Sequence, residues 1–243
     1  MDREQDGQNP VLMWYGKIPS MGDFVRRRMP EQILLPWERW FSSGISQARV
    51  ACRQGSLPGT GAALPQAAWG FVLPQPQGGA QAGAVVPSQD RVGRDYMVCA
   101  LVTIDPEQCH TLRLPVLAGM VEQLGLSLVQ GLRFCWAATQ LDQTLCRCVP
   151  PSGLFEPHAT AVRHDAGRDI LDVLYGTQDA QEPAQDIWSV LQPCLEPGSH
   201  RSYWWRLGMN HPSWASVTHS ADLTPALFRR LFASASDVRP FQR

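Results

Sequence analysis

The strongest constraint on the fold is the segment Asp95–Ile104, where Met97, Val98, Cys99, Ala100, Leu101 and Val102 follow one another without a polar break. Such a run reads as a strand set centrally in a sheet. It is far shorter than the roughly 20 residues that a membrane-spanning helix needs. Two further strand candidates precede it, Ala68–Leu73 and Gln81–Pro87. Gly and Pro separate these two, and Asp90-Arg91-Val92-Gly93 separates the second from the third as a turn. A parallel crossover needs about a dozen residues or more, so the short connections demand antiparallel neighbours.

Helical periodicity brackets this meander. Leu12–Tyr15 reads as a short strand ended by Gly16, and Lys17–Asp23 as turn chemistry. Trp37, Trp40, Phe41, Ile45, Ala48 and Cys52 then recur at steps of three and four, which predicts a long helix. Pro36 fits its first position, where the missing N–H is no loss. Gly44 should weaken that helix by about 1 kcal/mol relative to Ala. Leu117, Val121, Leu124 and Leu128 share one face of a helix over Leu114–Leu132. Residues 133–200 carry two weaker helical patterns, one at Ile170, Leu171, Val173 and Leu174, the other at Ile187, Val190 and Leu191. Tyr203–Leu207 and Ala215–Thr218 read as a strand pair. Thr224 as N-cap and Pro225 at the first position open a last helix with Phe228, Leu231 and Phe232 toward the core.

The order predicts an α+β fold, a largely antiparallel central sheet flanked by helices, with a C-terminal strand pair and helix. Residues 1–10 read as a disordered lead and 11–243 as a single domain, with 133–200 a variable helical middle segment.

Composition narrows the function. With 44% apolar residues the chain can bury a sizeable core. A net charge of −1 argues against a nucleic-acid partner, which would select clustered basic charge. The basic residues are almost all Arg, Lys17 being the only Lys. The first residues are polar and acidic and do not read as a secretory signal, so a cytoplasmic protein without direct membrane insertion is expected. Seven Cys without a C-x-x-C pair argue against a disulfide framework or a zinc knuckle. No phosphate loop, nucleophile elbow or H-E-x-x-H motif occurs, and no cofactor is expected.

Two other patterns invite chemistry. His158 and His164 with Asp165, Asp169 and Asp172 would suit a divalent metal, and hence a metal-dependent hydrolase. Spacing alone makes the three Asp a solvated acidic helix face. Cys146-x-Cys148 lacks the second pair a metal site would want.

Polar clusters are more telling. Gly16–Arg28 gathers Lys17, Asp23, Arg26, Arg27 and Arg28. It is a docking surface for an acidic or phosphorylated partner, or a solubilising loop in which Asp23 pairs an Arg internally. Ser88–Asp95 places Asp90, Arg91, Arg94 and Asp95 in one tight turn. A hairpin turn needs only Asn or Asp and Gly, so the surplus charge serves either a pinning salt-bridge network or a partner. Trp204-Trp205 should put one indole inward and one outward, the outward one an interface anchor or a residue covered by the middle segment.

Met13–Arg28 followed by Pro36-Trp37-Glu38-Arg39-Trp40 resembles the opening of the TagF family, also known as ImpM, associated with bacterial type VI secretion. Trp69–Leu73 with Pro87–Arg94 resembles the family's second block, and Ser202–Trp205 its C-terminal tryptophan block. The resemblance implies a non-enzymatic cytoplasmic regulator that acts post-translationally, as a repressor of assembly. Its implied partner is the forkhead-associated (FHA) scaffold protein of the machine, with the PP2C-type phosphatase of the threonine-phosphorylation pathway as a further candidate. On that reading Lys17, Asp23, Arg26, Asp90, Arg91 and Arg94 form one polar face, and Trp204 or Trp205 supplies an apolar anchor. A structural adaptor of the secretion baseplate is the other binding role in view.

Overall fold

The computed structural model describes residues 10–53, 67–150, 153–155, 187–208 and 216–232. Among these residues seven strands form one sheet: β1 (Met13–Gly16), β2 (Val25–Arg27), β3 (Trp69–Pro74), β4 (Ala80–Gln89), β5 (Asp95–Ile104), β6 (Arg201–Arg206) and β7 (Ser216–Ser220). Their spatial order is β2-β1-β5-β4-β3-β6-β7. Every neighbouring pair is antiparallel. Among the described residues five α-helices accompany them: α1 (Glu31–Arg53), α2 (Leu114–Arg133), α3 (Ala138–Cys148), α4 (Ile187–Leu195) and α5 (Pro225–Phe232). The expected α+β fold with its antiparallel sheet is what the chain adopts.

Helices cover both faces of the sheet, which explains the unbroken apolar run. Successive side chains of a strand point to opposite faces, so a strand covered on both sides must be apolar at every position. In β5, Val98, Ala100 and Val102 pack with Leu117, Val121 and Leu124 of α2. Met97, Cys99 and Leu101 pack on the other face, with Trp37 and Phe41 of α1 and Phe228 of α5.

That second face is aromatic. Trp37 sits 4.8 Å from Phe71 and 5.6 Å from Trp40, measured between ring centroids. Trp40 in turn lies 5.5 Å from both Trp204 and Phe228. Three indoles here have a partner: Trp37 Nε1 donates to Gln81 Oε1 at 2.8 Å, Trp40 Nε1 to the Thr224 carbonyl at 2.8 Å and Trp204 Nε1 to Ser202 Oγ at 3.0 Å, whereas the buried Trp69 Nε1 has none among the described residues. Gly44 lets α5 approach α1, because a Cβ there would meet the Phe228 ring.

Several expectations are corrected. α1 begins at Glu31, so Pro36 lies inside the helix and not at its first position. The apolar face already starts at Leu34, and Pro30 precedes the first turn with its carbonyl accepting Ile33 N and Leu34 N. Arg26 and Arg27, expected in a loop, belong to the edge strand β2, where Trp14 pairs with Arg27 and Tyr15 with Arg26. α3 is short and escaped the periodicity reading, although Ala138, Leu141 and Leu145 recur on its buried side. The last helix is as expected, with Thr224 Oγ1 accepting Leu227 N at 3.1 Å. Ile187–Leu195 is helical. The patterns at Ile170–Leu174 and at His158–Asp172 lie outside the described residues.

Candidate functional site

β1 and β5 run side by side, so the loop leaving β1 and the turn entering β5 meet at one end of the sheet. β1 stops at Gly16, which has φ +149° and would carry a Cβ into the Met97 carbonyl. The chain then bends, with Lys17 N still donating to Met97 O at 3.2 Å. This bend turns the Lys17 ammonium toward the β4–β5 turn.

Asp90 organises that turn. Its Oδ1 accepts Val92 N at 3.1 Å and Arg94 N at 2.9 Å. Its Oδ2 accepts Lys17 Nζ at 2.9 Å and Arg94 Nε at 2.6 Å. The Asp90 side chain is fully buried and Lys17 nearly so. Burial pushes the Asp90 carboxyl up, but the hydrogen bonds from Arg94, Lys17 and Val92 outweigh it and hold the group well below the usual carboxylate range. Backbone bonds complete the joint: Arg91 N donates to Met21 O at 2.9 Å, and Ser88 Oγ donates to Lys17 O at 2.6 Å. Arg94 Nη2 donates to Gly22 O at 3.0 Å.

An aromatic trio lies against the ion cluster. Phe24 stacks on Tyr15 at 5.6 Å and meets Tyr96 edge-on at 4.8 Å. Lys17 Nζ stands 4.8 Å above the Phe24 ring, an attractive cation–π arrangement. Burial pushes the Tyr15 and Tyr96 phenols up, so both remain neutral donors.

A second joint anchors the loop's far end. Arg28, at φ 55°, donates from Nη1 to Asp142 Oδ2 at 3.0 Å and from Nη2 to Asp142 Oδ1 at 2.5 Å. Asp142 also accepts Trp14 Nε1 at 2.7 Å. Hydrogen bonding to Arg28 lowers the Asp142 carboxyl, against the effect of burial. Ser20 Oγ donates to the Trp136 carbonyl at 2.7 Å. The loop is therefore tied at both ends and in the middle.

Pinning leaves a distinct outer surface. Asp23, Arg26, Arg91 and Arg94 are exposed around Met21 (42% exposed), Phe24 (48%) and Val92 (69%). Beside them on the α2 face is a cleft of about 350 Å³ lined by Pro19, Pro87, Ser88, Val129, Arg133 and Cys135.

The eight residues singled out by sequence therefore separate. Lys17, Asp90 and Arg94 come together as the pinning network, and only the guanidinium end of Arg94 faces solvent. Asp23, Arg26 and Arg91 stand at the surface, and Asp23 makes no ion pair among the described residues. Trp204 and Trp205 are both buried, one on each face of the sheet, so neither is an exposed anchor. With helices on both faces, an outward strand position is still an interior one. Phe24, Met21 and Val92 were missed; the available signal was apolar side chains inside otherwise charged turns.

The buried and half-buried thiols are structural. Burial pushes Cys99, Cys109, Cys148 and Cys194 up, Cys194 to about 11, which disfavours the nucleophilic thiolate. Cys146 lies against Arg28 Nη2, whereas Cys148 donates to the Thr144 carbonyl, so the two do not converge on one ligand position. Among the described residues no three His, Cys, Asp or Glu side chains gather as a metal site would require.

Sheet and joint together define a three-layer α/β/α protein whose antiparallel hairpins carry a stiff, cation-rich tip. No curated protein matches the chain. It belongs to the TagF family: residues 13–148 match the TagF N-terminal domain, described as type VI secretion system-associated. The chain is also similar to the crystal structure of PA0076 from Pseudomonas aeruginosa PAO1, with a TM-score of 0.60, 21% identity, and coverage of 96% of this chain and 99% of that one. At that identity the likeness is one of fold.

Proposed function

We propose that the chain is a non-enzymatic cytoplasmic regulator of type VI secretion that represses assembly by binding the forkhead-associated scaffold protein of the machine. Family membership supports the system. The observation that carries the binding role is the tip, where charged and apolar side chains are exposed on loops tied together through the buried Asp90 carboxylate. A preordered loop loses little conformational entropy on docking. At the tip the exposed Arg26, Arg91 and Arg94 outnumber the exposed Asp23 in a chain of net charge −1, so the tip favours an acidic partner.

Arg26, Arg91 and Arg94 supply the charge, and Phe24 and Val92 the apolar contact. Lys17 and Asp90 hold the frame. Repression follows by mass action, because scaffold bound here is withdrawn from the growing assembly. Among the described residues no helix is long and apolar enough to cross a membrane.

The test is capture of purified scaffold protein by the full chain and by a variant carrying Arg91→Glu and Val92→Asp. Both side chains are exposed, so the fold should survive. Loss of capture at an unchanged unfolding midpoint is expected. Undiminished capture removes the tip from the interface. A parallel capture with the PP2C-type phosphatase distinguishes the scaffold from the second candidate partner. Overexpression in the native cell should lower release of the secreted tube protein; unchanged release counts against repression.

A further inference from the structure

The α1 side of the same sheet end holds a second concavity, of about 410 Å³. Ser42, Ser46 and Arg49 line one wall, and these positions share a helix face because they follow at steps of four and three. Arg94 and Tyr96 line the opposite wall, with Lys17 beside them. Three cations thus border the cleft, with Asp95 the acid among the lining residues. Buried Asp90 takes one side-chain donor from Lys17 and one from Arg94. An ammonium has three donors and a guanidinium five, so both retain others.

Arg94 uses Nε on Asp90 and Nη2 on the Gly22 carbonyl, and its Nη1 makes no hydrogen bond among the described residues. Arg49 likewise makes none among the described residues. Ser42 Oγ lies 3.5 Å from Tyr96 OH, which sets two hydroxyls facing each other at the cleft. Arg49 and Arg94 Nη1 are therefore donors whose acceptors are not supplied among the described residues, whereas Ser42 and Tyr96 share a hydrogen bond.

We propose that this cleft is an oxyanion-binding site and that its ligand is a phosphoryl group. A planar carboxylate is served by one guanidinium, whereas a phosphoryl group offers three acceptor oxygens in different directions. Arg49 and Arg94 on opposite walls, with the hydroxyls of Ser42, Ser46 and Tyr96, match the second geometry. The volume lies at the low end of ordinary ligand pockets, enough for a phosphorylated side chain. The site shares Arg94 with the docking tip, but Arg91 and Val92 do not line it, and it does not depend on which protein docks there.

The experiment is an NMR titration of the full chain with inorganic phosphate, O-phosphothreonine and acetate at matched ionic strength. The amides of Ser46, Arg49 and Tyr96 and the side-chain N–H signals of Arg49 and Arg94 are followed. Phosphate and O-phosphothreonine should shift these signals saturably. Arg49→Gln, on the exposed helix surface, should weaken binding about tenfold or more, as expected for loss of a charge-assisted donor, with an unchanged unfolding midpoint. Tighter binding of O-phosphothreonine supports a phosphorylated protein segment as ligand; equal binding supports free phosphate. Non-saturating shifts, equal affinity in Arg49→Gln, or acetate binding as tight as phosphate would each overturn the proposal.

Discussion

Gly44→Ala sets two physical effects against each other. Alanine is the better helix former, worth about 1 kcal/mol in an exposed helix interior. At Gly44 the added methyl would fall on Cγ and both Cδ atoms of Phe228. That ring cannot easily yield, because its centroid is 5.5 Å from Trp40 and 5.0 Å from Phe232. Overpacking of a filled core costs about 1–3 kcal/mol, and backbone-anchored crowding of a fully buried ring belongs at the upper end. The expected net effect is a loss of about 1–2 kcal/mol. Gly119 is the internal control, since it sits exposed within α2 and a Cβ there meets nothing within 4 Å. Gly119→Ala should therefore gain about 0.5–1 kcal/mol. Urea denaturation of both variants, followed by far-ultraviolet circular dichroism, gives the comparison. Phe228→Ala completes a cycle: in that background the Gly44→Ala change should become stabilising. If Gly44→Ala gained as much as Gly119→Ala, the close α1–α5 packing would be refuted.

Other outcomes follow from the ion joints and the core. Asp90→Asn should lower the urea midpoint at pH 7 and remove a pH slope. The folded Asp90 carboxyl lies below its unfolded value, so its contribution is fully present above about pH 4 and is lost as pH falls below that. Midpoints measured at pH 7, 4 and 3 check this; a wild-type chain no more acid-sensitive than the variant would contradict it. Trp204→Ala and Trp205→Ala should each cost about 3–5 kcal/mol, the range for emptying a large core site. An exposed anchor would leave the unfolding midpoint unmoved. Asp142→Ala should destabilise more than Arg28→Met, because it also strands the buried Trp14 N–H, at about 1–3 kcal/mol. Chemical denaturation of the pair settles the order.

Local patterns were readable wherever a single segment carried its own signal. The β3–β5 meander follows from apolar runs joined by turns too short for a crossover. α2 announces itself by Leu117, Val121, Leu124 and Leu128, and α5 by the Thr224-Pro225 start. β2 was opaque because Val25-Arg26-Arg27 has no strand pattern of its own and is held by hydrogen bonds to β1. The start of α1 was misplaced because Pro36 resembles a first-turn residue, while the burial of Leu34 two residues earlier depends on the sheet beneath. The charged turns were recognised as unusual, but their roles were not separable: Lys17 and Asp90 are 73 positions apart and only the β1–β5 pairing joins them.

The amino-acid order by itself determined the antiparallel meander, the helical faces and the family, since each rests on short-range periodicity or a contiguous motif. Tertiary structure alone decided which polar groups are structural and which are presented to a partner. A charge buried beside an opposite charge becomes part of the frame, and the same residue in water is a contact. Burial depends on what the rest of the chain lays over the site, and no local stretch of residues encodes that.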